Sequence, residues 1–299
     1  MLSSQGVKIL LIGARGQLGQ EILAVARHQG NDEIVPVTHE ELDIRDAQRV
    51  RDLVERERPQ CIINTAAFHK VDLCEDEPET TFAVNEGGAR NLAEAAEEIG
   101  ALMLQLSTDY VFDGEKTSPY VESDEARPIS VYGKSRLAGE RAVAASCRRF
   151  LIIRTCGLYG LAGKVSKMGN FVETMLRLAE QGKSLRVVSD QVCTPTSARE
   201  LARKMLPLIH ADAQGLFHMS NTGECSWFQF AQEIFRLAGV PADVKPVTSE
   251  EYAAKARRPK YSVLDNRAFR HAGFADFSPW NEALPQYMES RGQPWRPLV

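Results

Sequence analysis

The sequence reads as an α/β protein, a doubly wound parallel sheet followed by a smaller C-terminal lobe. Short, almost wholly apolar runs recur at intervals, as in "VKILLIG" (Val7 to Gly13), "CIINTA" (Cys61 to Ala66), "LMLQLST" (Leu102 to Thr108) and "FLIIRT" (Phe150 to Thr155). Such runs suit strands buried on both faces of a sheet. Amphipathic helical stretches separate them, which implies right-handed βαβ crossovers. A glycine turn, "GARGQLG", joins the first run directly to the first helix.

Taken in order, the first strand leads into a helix from Gln17 to about His28, with Leu18, Ile22, Leu23 and Val25 roughly on one side. "EIVPV" (Glu33 to Val37) is the second strand, and a polar helix runs from about Asp46 to Glu57. After "CIINTA" comes one long helical stretch, Pro78 to Ile99, then "LMLQLST", a helix opened by Tyr132, and "FLIIRT". Beyond about Gly157 the rhythm loosens. "LYGLAGKVSKMGN" (Leu158 to Asn170) reads as a mobile loop. Helices follow near Asn170 to Gln181, Thr196 to Ile209 and Trp227 to Ala238, with the short runs "LRVV" and "LFHMS" between them and a Pro-rich, aromatic ending. These patterns divide the chain into a sheet domain, residues 1–157, and a lobe of residues 158–299 from which segments near 190–220 return to the main sheet.

With 36 Lys+Arg against 40 Asp+Glu, the net charge of -4 points to neither nucleic acid nor an anionic membrane as partner. The six cysteines are scattered, with no CxxC pair and no metal-ligand spacing, as expected of reduced thiols in a cytoplasmic protein. No apolar run precedes the first strand and none is long enough to span a bilayer.

Gly13, Gly16 and Gly19 lie between a strand and a helix N-terminus. There, glycines let backbone approach a pyrophosphate while the helix offers free N–H groups and the positive end of its dipole. The first half is therefore read as a dinucleotide-binding domain of the Rossmann kind. An acid is expected at the end of the second strand to bind ribose, and "VPVTHEE" has no Asp directly on that strand end. Arg15 and His39 could meet a 2′-phosphate instead, a slight lean to NADP over NAD. Asp43 and Ile44 could flank the adenine.

"LSTDYVFDG" ends the fourth strand in Ser107, Thr108 and Asp109, and Tyr132 opens the next helix. Arg136, four residues on, shares its face, whereas Lys134 points away. A hydroxyl, a phenol and an adjacent cation form the set needed to protonate an alkoxide as hydride arrives: the cation lowers the phenol's pKa and the hydroxyl holds the carbonyl oxygen.

The sequence resembles the extended short-chain dehydrogenase/reductase superfamily, and within it the dTDP-4-dehydrorhamnose reductase family. "GARGQLG", "INTAAFHKVD", "LSTDYVFDG", "YGKSRLAGE", "NFVETMLRLAEQGKSLRVVSDQVCTPT", "GECSWFQFAQEIF" and "ARRPKYSVLDN" carry the resemblance nearly end to end. It implies an NAD(P)H-dependent reduction of the 4-keto group of a nucleotide-linked 6-deoxy sugar, dTDP-4-dehydro-L-rhamnose to dTDP-L-rhamnose. Gly16, Gln17 and Leu18 would hold the pyrophosphate, Asp43 and Ile44 the adenine, and Ala67, Phe68 and His69 would line the cofactor path. Thr108 and Tyr132 would be catalytic, with Asp109 near the substrate. Arg257 and Arg258 are candidates for a diphosphate clamp, since guanidinium forks match phosphate oxygens.

Two positions depart from the family pattern. Arg136 stands where a lysine is usual, and Gly157, in "RTCGLYG", stands where the family has a substrate-side tryptophan. Arginine keeps the charge and the donors but does not readily lose a proton. Two alternatives therefore stay open: a non-catalytic, cofactor-binding regulatory subunit, as in the beta subunit of methionine adenosyltransferase, and a related nucleotide-sugar reductase or epimerase. A homodimer is also left open. No metal site is expected, the acidic run "CEDEPE" (Cys74 to Glu79) being read as helix-start acids matched to the dipole.

Overall fold

The computed structural model describes residues 6–164, 169–182, 184–293 and 297–298. Its centre is a sheet of six parallel strands: β1 (Lys8–Ile12), β2 (Glu33–Val37), β3 (Cys61–Asn64), β4 (Leu102–Thr108), β5 (Phe150–Thr155) and β6 (Gly215–His218). They lie in the order β6-β5-β4-β3-β1-β2, so the winding reverses between β1 and β3. Strand periodicity feeds two cores. Ile9 and Leu11 join one, Leu10 and Ile12 the other, and β3 and β4 alternate in the same way.

One face carries α1 (Gln17–Gln29); the other carries α2 (Ala47–Glu57), α3 (Ala89–Ile99) and α4 (Val131–Ser146). The expected single helix from Pro78 to Ile99 is helical along its length, but Ala83–Gly88 winds as a π-helical turn before α3. Asn85 accounts for it, because its buried side chain bonds the Phe68 backbone and Ser135 on α4 instead of facing solvent.

Beyond β5, α5 (Phe171–Glu180), α7 (Trp227–Ala238) and α8 (Trp280–Arg291) enclose a third core around a parallel strand pair, Leu185–Val188 with Val244–Val247. Between α5 and α7, α6 (Ala198–His210) packs with α1 on the main sheet and β6 pairs with β5. The sequence patterns gave no sign of α8, because Pro285 lies within it. Proline frees the carbonyl of Asn281, at an exposed residue where water can serve it, while Leu284 and Tyr287 are buried on the other side. In the loop read as mobile, Leu161–Lys164 forms a tight helical turn; residues 165–168 lie outside the described residues. All six cysteines are buried thiols. Among the described residues no helix is long and apolar enough to cross a membrane.

Candidate active site

Ser130 caps α4 by accepting the N–H of Gly133 at 3.2 Å, and the Glu75 carboxylate accepts that of Val131 at 2.8 Å. The first turn is thereby fixed, with Tyr132 in it and Arg136 one turn further along the same face. Opposite them, at the end of β4, buried Thr108 accepts the N–H of Tyr110 at 3.2 Å and donates to Asp109 Oδ1 at 3.1 Å. The rings of Tyr110 and Tyr132 meet edge to face, 5.6 Å apart. Burial raises the pKa of the Tyr132 phenol, while the Arg136 charge and the neighbouring Thr108 hydroxyl pull it back. The phenol therefore stays protonated at neutral pH, in the form a proton donor needs.

Arg136 is 5% exposed. Its Nη2 donates to the carbonyl of Leu106, and its Nη1 is buried with no hydrogen-bond partner. A buried guanidinium nitrogen without an acceptor is costly, so a ligand oxygen at this point would be favoured. Thr108, Tyr132, Arg136 and Gly157 line a cavity of about 320 Å³.

A second set of groups fixes this floor from below. Glu140, one turn beyond Arg136, receives two hydrogen bonds from Arg154 on β5 at 2.9 and 2.6 Å and a third from Ser107 on β4. Both ends of the ion pair are buried, which sets α4 against the two strands that carry the site.

The cavity continues into another of about 390 Å³, with Gly16, Thr65, Ala67 and His69 shared between the two. The glycine turn forms one end. Gly13 has φ +83°, and a Cβ there would lie 2.6 Å from Thr65 Oγ1. Gly16 opens α1 without any side-chain cap. The side chains of the next two residues are engaged elsewhere: Gln17 Oε1 accepts from Gly160 and Asn170, and Leu18 is in the core. Their contribution here is backbone N–H, and Gly19 packs against the Gly13 and Ala14 carbonyls. Arg15 is exposed and paired with Glu40 at 2.9 Å, beside His39. Asp43 is held by Arg45, which lowers its pKa to about 2. Ile44 is buried behind the groove. Phe68 is fixed through its backbone by Asn85, and His69 Nδ1 lies 3.3 Å from the Ala67 carbonyl. An uncapped helix N-terminus, a glycine with no room for a side chain and an unpartnered buried nitrogen together fit a dinucleotide laid from α1 towards α4.

Asp109 lines the same cavity beside Thr108 and is buried. Its carboxylate accepts from Cys156 Sγ at 3.1 Å, and burial raises its pKa. The expected arginine pair lies outside the catalytic cavity. Arg258 holds Asp72 at 2.9 Å and Arg257 is exposed; both line a separate cavity of about 900 Å³, and Arg258 also borders one of about 250 Å³. Asp76 of the acidic run likewise pairs with Lys255.

Residues 7–292 match the family described as RmlD substrate binding domain. This chain belongs to that family. It is 40% identical over 284 residues to the spore coat polysaccharide biosynthesis protein SpsK of Bacillus subtilis, a match covering 95% of this chain and 98% of that protein. The dTDP-4-keto-6-deoxy-D-glucose reductase of Streptomyces niveus is 39% identical over 279 residues, 93% of this chain and 95% of that one. The structure of dTDP-4-dehydrorhamnose reductase from Bacillus anthracis in complex with NADP superposes with a TM-score of 0.91 at 37% identity, covering 96% of this chain and 100% of the other.

As a member of the RmlD family, the chain brings Thr108, Tyr132 and Arg136 to one cavity and the glycine turn, Asp43, Ala67, Phe68 and His69 to the adjoining groove. Sequence reasoning missed Asn85, Glu140, Arg154 and Glu40. Only Glu140 had a local signal, its spacing of four from Arg136; the others act across long separations.

Proposed function

We propose that this chain is an NAD(P)H-dependent reductase acting on the 4-keto group of a dTDP-linked 6-deoxy sugar, dTDP-4-dehydro-L-rhamnose being the first candidate. The observation that carries the reading is the unpartnered Arg136 Nη1, buried beside the protonated phenol of Tyr132 where the catalytic cavity meets the cofactor groove. The bound dinucleotide supplies the hydride. Thr108 donates to the keto oxygen, and Tyr132 gives that oxygen its proton as charge develops there. Arg136 binds a ribose hydroxyl through Nη1 and steadies the phenolate with its charge. Because guanidinium does not deprotonate, the proton that restores Tyr132 comes through solvent or ribose hydroxyls rather than through residue 136. Arg257 and Arg258 receive the diphosphate, for which Arg258 must exchange its partner Asp72.

The Bacillus anthracis relative in complex with NADP supports NADPH as reductant, and Arg15 is the cation available for the 2′-phosphate. Arg15→Ala should weaken NADPH binding several-fold more than NADH binding by calorimetry; equal losses would retire that role. The enzyme would work in the cytoplasm.

The similarity to the Streptomyces niveus reductase favours a second substrate, dTDP-4-keto-6-deoxy-D-glucose. Following NADPH oxidation with both keto-sugars separates the two. No oxidation with either, on protein shown by calorimetry to bind NADPH, would overturn the reductase reading in favour of a non-catalytic cofactor-binding subunit.

A further inference from the structure

Gly157 lies on the catalytic cavity wall, and its backbone is in the left-handed region, φ +52°. A Cβ at this position would lie 3.1 Å from Cη2 of Trp227 and 3.3 Å from Cα of Pro195. Any side chain there would be strained by its own backbone and would press on the indole. The wall is thus bare backbone with an aromatic ring directly behind it.

That ring is held in place. Trp227 opens α7, next to the Ser226 capping box; its ring centroid is 4.6 Å from that of Phe171 and 6.2 Å from that of Phe230. It remains partly exposed and lines the cavity of about 250 Å³ together with Tyr110, Met175 and Arg258. Tyr110 also borders the catalytic cavity, so the two spaces adjoin across Tyr110 and the Gly157–Trp227 contact. One side of that junction holds Thr108 and Tyr132, which on the reductase reading take the sugar's keto oxygen. The other side is walled by apolar and aromatic groups with two guanidiniums, those of Arg186 and Arg258, at its margin.

We infer that Trp227 is a specificity-determining residue whose indole, in contact with the bare backbone at Gly157, takes the apolar C–H face and C6 methyl of the 6-deoxy sugar. This rests on the reductase reading above. A sugar ring offers C–H groups to a flat π surface, and a methyl in place of a hydroxymethyl removes the polar group that such a surface would desolvate. The nucleotide lies further along, towards Arg258, and does not depend on the indole.

The test compares dTDP-L-rhamnose with dTDP by calorimetry on the full chain, with NADPH binding as the control for folding. Trp227→Leu should weaken dTDP-L-rhamnose by about tenfold while leaving dTDP within about twofold. Trp227→Phe, which keeps a ring among Phe171 and Phe230, should give a smaller loss for the sugar nucleotide alone, and it carries the test if the leucine variant fails to fold. Equal losses for both ligands would place the indole against the nucleotide and overturn the inference. Unchanged affinity for both would leave Trp227 a packing residue and overturn it too. Parent protein that binds neither ligand while binding NADPH would overturn the reductase reading itself, a result distinct from either.

Discussion

Water barely reaches the groups that pin the floor of the catalytic cavity, but it reaches more of those that pin the Arg258 wall beside it. In the floor, the Glu140 and Arg154 side chains are 6% and 5% exposed and joined by two hydrogen bonds. In the wall, Asp72 and Arg258 are 50% and 19% exposed, and Asp76 and Lys255 are 51% and 53%. Charge pairs of the first kind are locked together, because neither partner can fall back on solvent. Those of the second kind can exchange partners at small cost. The contrast suits the proposed chemistry: Thr108, Tyr132 and Arg136 must hold their geometry, while Arg258 must leave Asp72 to meet a diphosphate.

The sharpest way to break this comparison is to delete one floor charge. Glu140→Ala leaves Arg154 buried and unpaired and should cost about 3–5 kcal/mol of stability in denaturant titration. A loss below about 1 kcal/mol would mean that the buried pair holds nothing, and floor and wall would no longer differ.

Tyr132→Phe should lower turnover on the order of 10²-fold or more, with NADPH affinity and stability nearly unchanged. The phenol is half-buried and makes its ring contact with Tyr110, which phenylalanine keeps, so the loss isolates the proton donor.

Arg136→Met should reduce turnover by about tenfold, and it carries a pH signature. The cation lowers the phenol's pKa against the upward pull of burial, so removing it raises that pKa. Reduction needs the protonated phenol and falls as it ionises; the alkaline limb of the kcat profile should therefore move to higher pH. A limb that stays in place would assign it to another group. Arg136→Lys should keep or raise turnover, because lysine restores both the charge and a protonatable amine.

How much of this was legible beforehand depended on the range of the interaction. The glycine turn, the strands β1 to β5 and the shared face of Tyr132 and Arg136 follow from periodicity within a few residues, and the structure has them. The free Nη1 of Arg136 could not be read, because the placement of the guanidinium depends on the Leu106 carbonyl thirty residues away in sequence. Nor could the inward turn of Asn85, whose partners are seventeen and fifty residues distant. Helix α8 was hidden by Pro285, a local signal overruled by the burial of Leu284 and Tyr287. The acidic run after Cys74 looked like solvated helix-start charge; Asp76 within it, and Asp72 just before it, have their partners Lys255 and Arg258 in the second lobe.

The smallest expected effect falls on the wall. Asp72→Asn keeps the shape and one acceptor but removes the charge that faces Arg258, and Asp72 also accepts the N–H of Ala256 at 2.9 Å. With half of the carboxylate in water, the stability change should stay under about 1 kcal/mol. The Arg258 contact holds the Asp72 pKa below its ordinary value, so the pair contributes above the ordinary carboxylate range and fades as pH falls through the lowered pKa. The substitution should therefore cost nothing further in acid, where the parent loses the same pair. Its functional effect should run the other way. An arginine no longer held by a full negative charge is freer to meet phosphate, so KM for the sugar nucleotide should fall by about two- to threefold while kcat stays constant. Arg257→Ala combined with Arg258→Ala should raise the same KM and spare NADPH binding. A KM that rises in Asp72→Asn would show that Arg258 works only when Asp72 positions it, and the wall would then be held as firmly as the floor.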